Sequence, residues 1–333
     1  MNAYGWTLGA IAAAFVFPVP AYAQQPIVIK FSHVVAVDTP KGKAAEYFKK
    51  LAEERTKGRV KVEVYPNSAL FKDGEEMEAL QLGSVQILAP SLAKFGPLGV
   101  REFEVFDLPY VFDNFEELHK VTEGPVGAAL FKKLESKGLI GLAYWDNGFK
   151  VMSANKPIRV PADYKGLKMR IQSSKVLGDE IKALGAIPQV MAFSEVYQAL
   201  QTGVVDGTEN PPSNFYTQKM QEVQKYLALT DHGVIEYAVI VNKKFWDGLP
   251  ADIRTTLQGA MNDATKYANG IAKKDNDDAL EAVRKSGKTE ILTLTPEQKA
   301  AMKKALVTVH KENESRVGKD TLAAVYKETG FKP

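Results

Sequence analysis

The sequence predicts an α/β protein with two related lobes that face each other across a ligand cleft. Short apolar strand segments alternate with amphipathic helices, which is the pattern of βαβ units and parallel sheets. The chain has 333 residues, which is long for one hydrophobic core and suits two lobes. Residues 79–85 are also echoed by residues 199–205, and each segment combines a helix end, a glycine and a buried strand. Chance is the alternative explanation of the echo, because helix–glycine–strand junctions are common in parallel sheets.

Composition excludes several classes of protein. Hydrophobic residues make up 45% and charged residues 25%, which rules out disordered and low-complexity chains. A formal net charge of +3 over this length gives no electrostatic argument for a nucleic-acid partner. The chain has no Cys, so structural disulfides, thiolate metal sites and Cys nucleophiles are excluded.

The first segment has the features of an export signal. Residues 1–23 contain no charged side chain, and the apolar run 8–19 leads to a small-x-small site that ends at Ala23. We predict a signal peptide cleaved after Ala23, although the usual Lys or Arg before the apolar run is missing. The alternative is a retained membrane anchor, but the run is short for a span of ~20 residues and prolines interrupt it. An exported, Cys-free protein suits the bacterial periplasm.

The first half of the chain predicts one βαβ unit and its extension. Residues 27–31 form an apolar strand, a helix begins near Pro40 and ends at Lys57-Gly58, and residues 60–65 alternate as a second strand. This order implies parallel strands with a right-handed crossover. A further helix at 75–82 and a strand at 85–88 follow.

The second half repeats the pattern and ends in helices. Strands are predicted at 167–171, 187–191 and 291–294, and helices at 174–184, 194–201 and 251–278. The helix that begins at residue 251 is long enough to cross both lobes. Thr295 is the expected N-cap of a helix with Pro296 at its first position, and the last helices end at about residue 329.

Motifs for catalysis or metal binding are lacking. The chain has no GxSxG, GxxxxGK[ST], HExxH or GxGxxG motif and no His pair at metal-ligand spacing, so we expect no cofactor and no metal. His119 and His310 lie in charged helical stretches and are expected at the surface. His33 and His232 end strand-like runs and could face a cleft, so an exported hydrolase built on one of them remains an alternative.

Three segments carry signals for anion binding. Arg170 lies on the predicted strand 167–171, just before Gln172, and a buried guanidinium is costly without an anion that its planar fork can match. The anion is either a ligand carboxylate or a carboxylate of the protein, and a solvent-facing Arg170 is a third possibility. Residues 144–150 include Trp145, Asn147 and Lys150, and they line either a small polar pocket or the core. Asn210 follows a buried strand, and the next residue, Pro211, restricts its backbone.

Several of these segments resemble the extracytoplasmic solute-binding proteins of TRAP transporters, in particular the C4-dicarboxylate-binding DctP group. The matching residues are Phe31-Ser32-His33, the run 166–170, the long block 191–211 and Val241-Asn242 ahead of Phe245-Trp246. The resemblance spans essentially the whole chain after the signal segment. It implies a two-lobed periplasmic fold that closes on its ligand, a long helix crossing both lobes, and delivery of the ligand to an ion-driven TRAP permease in the membrane.

The resemblance also implies roles for individual residues. Arg170 would form a salt bridge with a ligand carboxylate, Asn210 would contact the same carboxylate, and Phe193 would line the cleft. A second cation often follows the aromatic-Asn-Gly crossover. This chain has Lys150 there where sialic-acid binders have Arg, which makes sialic acid a less suitable ligand.

A dicarboxylate such as succinate, malate or fumarate needs a cation at each end. Arg170 would hold one carboxylate, and Lys150, Lys43 or His33 would hold the other; Lys41 is a further source of positive charge. The remaining pocket candidates lie at strand ends or near the crossover: Ser91, Trp145, Asn147, Gln172 and Tyr237.

We therefore expect a non-catalytic receptor for a small organic acid, with a C4-dicarboxylate as the first choice. Another carboxylate, such as a keto acid, an aromatic acid or a sugar acid, is the nearest alternative. Lobe I is expected to comprise residues 24–147 and 236–275, and lobe II residues 148–235 and 276–333.

Overall fold

The structure is a computed structural model that describes residues 25–333. The predicted signal peptide at residues 1–23 lies outside the described residues. The described chain folds around a 5-stranded and a 6-stranded sheet. The prediction of an α/β fold with two sheet-based lobes is confirmed. No helix in residues 25–333 has the length and apolar character needed to cross a membrane.

The strands divide between the two sheets. Sheet A has the order β2-β1-β3-β10-β4, and sheet B has the order β11-β9-β5-β8-β6-β7. Their bounds are β1 Ile27–Ser32, β2 Val60–Tyr65, β3 Ile87–Leu88, β4 Leu139–Phe149, β5 Val151–Ala154, β6 Lys168–Ile171, β7 Ile187–Val190, β8 Gly207–Asn210, β9 Tyr226–Leu229, β10 Val234–Asn242 and β11 Glu290–Thr293.

Helices cover the faces of both sheets, and apolar clusters fill the space on either side of each sheet. Their bounds are α1 Pro40–Arg55, α2 Glu76–Gln81, α3 Phe115–Thr122, α4 Pro125–Leu134, α5 Lys175–Ala183, α6 Val196–Thr202, α7 Pro212–Thr217, α8 Lys243–Asp247, α9 Ala251–Ser286, α10 Pro296–Leu306, α11 Thr308–Val317 and α12 Lys319–Thr329.

The two sheets share one connectivity. In sheet A, β3 lies between the parallel strand β1 and the antiparallel strand β10, and β2 flanks β1. In sheet B, β8 lies between the parallel strand β6 and the antiparallel strand β5, and β7 flanks β6. The echo in the sequence falls on this repeat, because Gly83 and Gly203 both have positive φ angles, 79° and 73°, and precede β3 and β8. Glycine tolerates that left-handed conformation without strain.

Three segments connect the lobes. Lys150 separates β4 of sheet A from β5 of sheet B, and residues 230–233 separate β9 of sheet B from β10 of sheet A. These two crossovers are joined, since the Lys150 backbone N–H donates to the Gly233 carbonyl oxygen at 2.8 Å. Helix α9 has 36 residues, so it is about 54 Å long, and it packs on α1 beside sheet A and on α7 beside sheet B.

The C-terminal helices return to the first lobe. Helices α11 and α12 contribute Val309, Val317, Leu322 and Val325 to an apolar cluster of sheet A. Helix α12 contacts α3 and α4, whereas α10 contacts α5 beside sheet B. Helix α11 also contacts α5 beside sheet B. The lobe boundaries, including the assignment of residues 276–333 to lobe II, stay a prediction.

Candidate functional site

A small cavity lies between the lobes. It is located beyond the carboxyl ends of β1, β6 and β8, where ligands bind in open α/β sheets. Sheet A and its loops contribute Val34, Val35, Asp73, Ser91, Lys94, Ile235 and Tyr237, and sheet B and its loops contribute Arg170, Gln172, Phe193, Asn210 and Asn214.

The guanidinium of Arg170 is held by the backbone and not by a carboxylate. The residue is 2% exposed, and its Nε and one terminal nitrogen donate to the Met191 carbonyl oxygen at 3.0 and 2.8 Å. The Phe193 ring lies 5.7 Å from the guanidinium carbon, within cation–π distance. Within residues 25–333 no Asp or Glu forms an ion pair with Arg170, so its positive charge is available to an anion in the cavity.

The Tyr237 hydroxyl and the Asn210 side-chain amide supply neutral hydrogen-bond donors to the cavity. The Tyr237 hydroxyl accepts N–H groups from Asn147 at 2.9 Å and from Asn214 at 3.3 Å. Its own proton is therefore free to donate into the cavity. The Asn210 side-chain nitrogen is buried and has no hydrogen-bond partner among the described residues. Both donors suit a carboxylate oxygen.

Lys94 supplies a second cation to the cavity. The residue is 6% exposed and pairs with Asp73 and, at 2.6 Å, with Glu76. Burial opposes its positive charge, but the two carboxylates hold the pKa of Lys94 above its ordinary value. Burial also opposes ionisation of Asp73, but Lys94 and Arg170 lower the pKa of Asp73 to about 2. Lys94 and Asp73 are therefore both charged.

Asp73 also connects the two lobes. Its carboxylate accepts the Phe193 backbone N–H at 2.5 Å, which joins the loop before α2 in lobe I to the loop after β7 in lobe II. At the surface beside this contact, Lys72 pairs with Glu195 at 3.0 Å. The described conformation is therefore one in which the lobes are closed over the cavity.

The cavity contains about half of the residues predicted from the sequence. Those that line it are Arg170, Asn210, Phe193, Ser91, Gln172 and Tyr237. Those that lie outside its lining are Lys150, His33, Lys43, Trp145 and Asn147. Asn147 acts indirectly, because it holds Tyr237. Trp145 is fully buried against Phe31 in the core of sheet A, with its indole N–H donating to Thr265.

The three cations proposed for the second carboxylate are not available for it. Lys150 is 1% exposed and pairs with the buried Glu209 at 2.5 Å, and Lys43 pairs with Asp275 at 2.7 Å outside the cavity. Burial, followed by the nearby charge of Lys41, lowers the pKa of His33 to about 3. The His33 ring is therefore neutral at physiological pH.

Lys94, Asp73 and Asn214 were not identified from the sequence. The internal repeat contains a signal for two of them, because Lys94 and Asn214 are separated by the same 120 residues as Asp73 and Phe193. Lys94 follows β3 as Asn214 follows β8, so extending the repeat beyond residue 205 would have placed Lys94 opposite Asn214 in the cleft. His310 is also not at the surface as expected, since it is 1% exposed and bonds the Pro109 carbonyl oxygen at 2.7 Å.

The chemistry of the cavity is that of anion binding. It combines two charged groups, Arg170 and Lys94, with the neutral donors of Asn210 and Tyr237. In residues 25–333 no group of three His, Asp or Glu side chains could hold a metal ion. A larger groove of about 1080 Å³ lies behind the crossovers, but its lysines are paired, Lys273 with Asp277 and Lys299 with Asp231. It therefore offers no comparable anion site.

The chain is similar to known solute-binding proteins in sequence and in fold. The model of the bacterial extracellular solute-binding proteins of family 7, DctP, matches residues 31–316. The C4-dicarboxylate-binding periplasmic protein DctP of Rhodobacter capsulatus is 65% identical over 321 residues, which is 96% of each chain. A TRAP periplasmic solute-binding protein from Sulfurospirillum deleyianum with bound succinate has 48% identity and a TM-score of 0.88 over 91% of this chain and 99% of that chain.

A second solved structure has the same fold. The TRAP periplasmic solute-binding protein from Pseudomonas aeruginosa with bound L-malate has 44% identity and a TM-score of 0.84, covering 86% of this chain and 100% of that chain. These likenesses extend over most of this chain. The chain therefore belongs to the bacterial extracellular solute-binding proteins of family 7, the DctP family of TRAP solute receptors.

Proposed function

We propose that this protein is a periplasmic receptor for a C4-dicarboxylate such as succinate or L-malate, and that it delivers this ligand to a TRAP permease. The observation that carries the proposal is the Arg170 guanidinium, which faces an enclosed cavity without a carboxylate partner. A buried charge of this kind is costly unless an anion matches it. The names of the similar proteins with bound succinate and L-malate supply the class of anion.

The proposed ligand uses both walls of the cavity. Arg170, Asn210 and Tyr237 hold one carboxylate. All three side chains donate hydrogen bonds, and Arg170 also supplies the positive charge. Lys94 attracts the other carboxylate from the lobe I side. The cavity is small, so it favours a small acid over a large one.

Closure follows from the same contacts. Arg170 and Asn210 belong to lobe II, whereas Lys94 and Tyr237 belong to lobe I. A ligand that bonds to all four does so only when the lobes are together, so it shifts the population toward the closed state. The closed surface is then what the permease recognises. The proposal includes no turnover, and incubation with a panel of esters and amides is expected to yield no product.

Calorimetry on wild type and Arg170→Ala tests the anchor. Removing one partner of a buried charge pair costs ~3–5 kcal/mol, so the variant should bind succinate, L-malate and fumarate at least about 100-fold more weakly. Arg59→Ala is the matched control, because Arg59 is an exposed arginine paired with Asp252 far from the cavity. Unchanged affinity in Arg170→Ala would contradict the proposal.

A thermal-shift screen tests the class of ligand. A ligand that binds only the folded protein raises its melting temperature, and at equal concentration a tighter ligand raises it more. Succinate, L-malate and fumarate should give larger shifts than keto acids, aromatic acids and sugar acids at equal concentration. A larger shift from one of those other acids would replace the C4-dicarboxylate as the proposed ligand and leave the receptor function in place.

A further inference from the structure

We propose that Lys41, which lies behind the cavity wall, makes the receptor selective for doubly charged ligands by taking up a proton when such a ligand binds. The inference rests on the proposed function. It assigns a role in specificity to a side chain that does not line the cavity.

Lys41 is separated from the cavity by one aromatic ring. It lies in the first turn of α1, is 1% exposed, and donates from its Nζ to the Ala89 carbonyl oxygen at 2.9 Å. The same Nζ lies 3.6 Å from the centre of the Tyr237 ring, whose hydroxyl group faces the cavity. Lys41 therefore responds to charge in the cavity without touching a ligand.

The ammonium form of Lys41 is poorly stabilised when the cavity holds no anion. Its hydrogen-bond acceptor is a neutral carbonyl, and no carboxylate of residues 25–333 pairs with it. Its place near the amino terminus of α1 adds the positive end of a helix dipole. Burial, followed by the charge of Lys94, lowers the pKa of Lys41 to about 7, against a smaller opposing effect of Glu76 and Asp73.

Charged and titratable groups surround Lys41 both within lobe I and across the cavity. Lys94 is positive, Asp73 is negative, and His33 is neutral. Glu76 pairs with Lys94 at 2.6 Å, and burial raises the pKa of its carboxyl group. Across the cavity Arg170 is positive.

Charge balance follows from this arrangement. Arg170 and Lys94 face the carboxyl groups of Asp73 and Glu76, so these four groups leave at most one net positive charge, which a single carboxylate satisfies. A second carboxylate brings one more negative charge into the enclosed cavity, and protonation of Lys41 compensates for it. The proton comes from the solvent, binds the Lys41 Nζ as the ligand enters, and returns to the solvent when the ligand leaves.

Calorimetry in buffers of different ionisation enthalpy measures this proton. At pH 8, succinate binding to wild type should take up close to one proton, and succinamate, in which an amide replaces one carboxylate, should take up much less. Since a bound dianion raises the pKa of Lys41, succinate affinity should fall by up to about tenfold per pH unit above pH 7. Succinamate affinity should change little over the same range.

Two methionine variants separate Lys41 from its neighbours. In Lys41→Met the proton uptake and the pH dependence should disappear, with about tenfold weaker succinate binding and little change for succinamate. Lys43→Met is the matched control, because Lys43 lies on the same helix but is half-exposed and paired with Asp275. It should behave as wild type. Melting temperatures of both variants establish that they fold.

Several outcomes would overturn the inference. Equal loss of succinate and succinamate binding in Lys41→Met would assign the residue a purely structural role, and undiminished proton uptake in that variant would place the proton elsewhere. If Lys41→Met does not fold, the test rests on wild type: equal proton uptake on binding succinate and succinamate would refute the inference. Failure of wild type to bind either ligand would instead contradict the proposed function.

Discussion

The Tyr237 hydroxyl illustrates how single residues prepare the cavity for a carboxylate. Two amides donate to it, from Asn147 and Asn214, and the Asn147 oxygen is itself held by the Ser213 hydroxyl at 3.0 Å. Burial raises the pKa of Tyr237, so the hydroxyl keeps its proton. This network fixes the hydroxyl as a donor toward the cavity before any ligand arrives, which lowers the cost of ordering on binding.

Tyr237→Phe tests this donor at the residue scale. A hydrogen bond to a charged group contributes ~1.5–3 kcal/mol, so the variant should bind succinate about tenfold more weakly or worse. Tyr216→Phe, at an exposed tyrosine, should match wild type. Calorimetry measures both. Equal affinities in wild type and Tyr237→Phe would mean that the hydroxyl does not reach the ligand.

At the scale of elements, the two crossovers meet in a buried ionic cluster. Lys150 of the β4–β5 crossover pairs with Glu209 on β8, and His232 of the β9–β10 crossover lies 3.5 Å from both Glu209 and Glu180. Asp107 is also buried near Lys150. The cluster contains more carboxyl groups than cations, so some of them must be neutral. Burial raises the pKa of Asp107 to about 7 and that of Glu180 to about 8.

Glu180 should therefore make stability depend on pH. Its pKa is higher in the folded state than its ordinary value of 4.5, so its contribution is fully present below about pH 4.5 and is lost as the pH rises through about 8. The associated slope is at most about 1.4 kcal/mol per pH unit. In Glu180→Gln the loss above pH 7 should disappear, whereas the contribution of Asp107, whose pKa is about 7, remains below that pH. Denaturant unfolding at pH 5, 7 and 9 would measure both.

The exposed Glu281 provides the control for this experiment. Its side chain is 46% exposed and pairs with Arg284 on the surface of α9. Glu281→Gln should keep the pH dependence of wild type. If Glu180→Gln kept it as well, the alkaline loss of stability would belong to another group.

At the scale of the whole molecule, closure joins two lobes that are built on separate sheets. The described contacts across the cleft include the buried bond from the Phe193 N–H to Asp73 and the exposed pair Lys72–Glu195. These two contacts differ in how much they contribute to the free energy of closure. The side chains of the exposed pair are both 51% accessible, and such pairs contribute ~0–1 kcal/mol, whereas the Asp73 side chain is only 14% accessible.

Asp73→Ala should therefore weaken closure, and Lys72→Met should not. We expect about tenfold weaker succinate binding in Asp73→Ala, because a hydrogen bond to a charged group is lost between the lobes. Small-angle X-ray scattering should show that this variant needs correspondingly more succinate to become compact. Tighter binding in Asp73→Ala would indicate that Asp73 competes with the ligand for Lys94.

Local sequence signals predicted the helices and strands, because caps, helix breakers and the alternation of apolar residues act over a few neighbouring residues. Thr295 caps α10 with Pro296 at the first helical position, and the side chain of Gln298 completes a capping box. The alternating strand at 60–65 pairs in parallel with the first strand, as the βαβ order required. The long helix was expected at 251–278 and extends to Ser286, since nothing in its last turns breaks a helix before Gly287.

The candidate site was only partly predictable because its charges pair through space. Arg170 was expected to meet an anion and has no paired carboxylate among the described residues, whereas Lys150 was expected in the same role and pairs with Glu209, 59 residues further along the chain. Lys94 stands in a short apolar segment without a motif of its own. Its position opposite Asn214 is visible only once the two lobes face each other.

By itself, the sequence determined the α/β class, the two related halves, the order of their strands and helices, and the family, because these depend on periodicity, caps and a long motif block. The tertiary structure alone decided which cations line the cavity and which pair with carboxylates of the protein. Burial and pairing depend on distances between residues far apart in the chain. These distances leave Arg170 in the cavity without a paired carboxylate from residues 25–333, place Lys94 there with Asp73 and Glu76, and put Lys150 in the crossover and Lys43 at the surface.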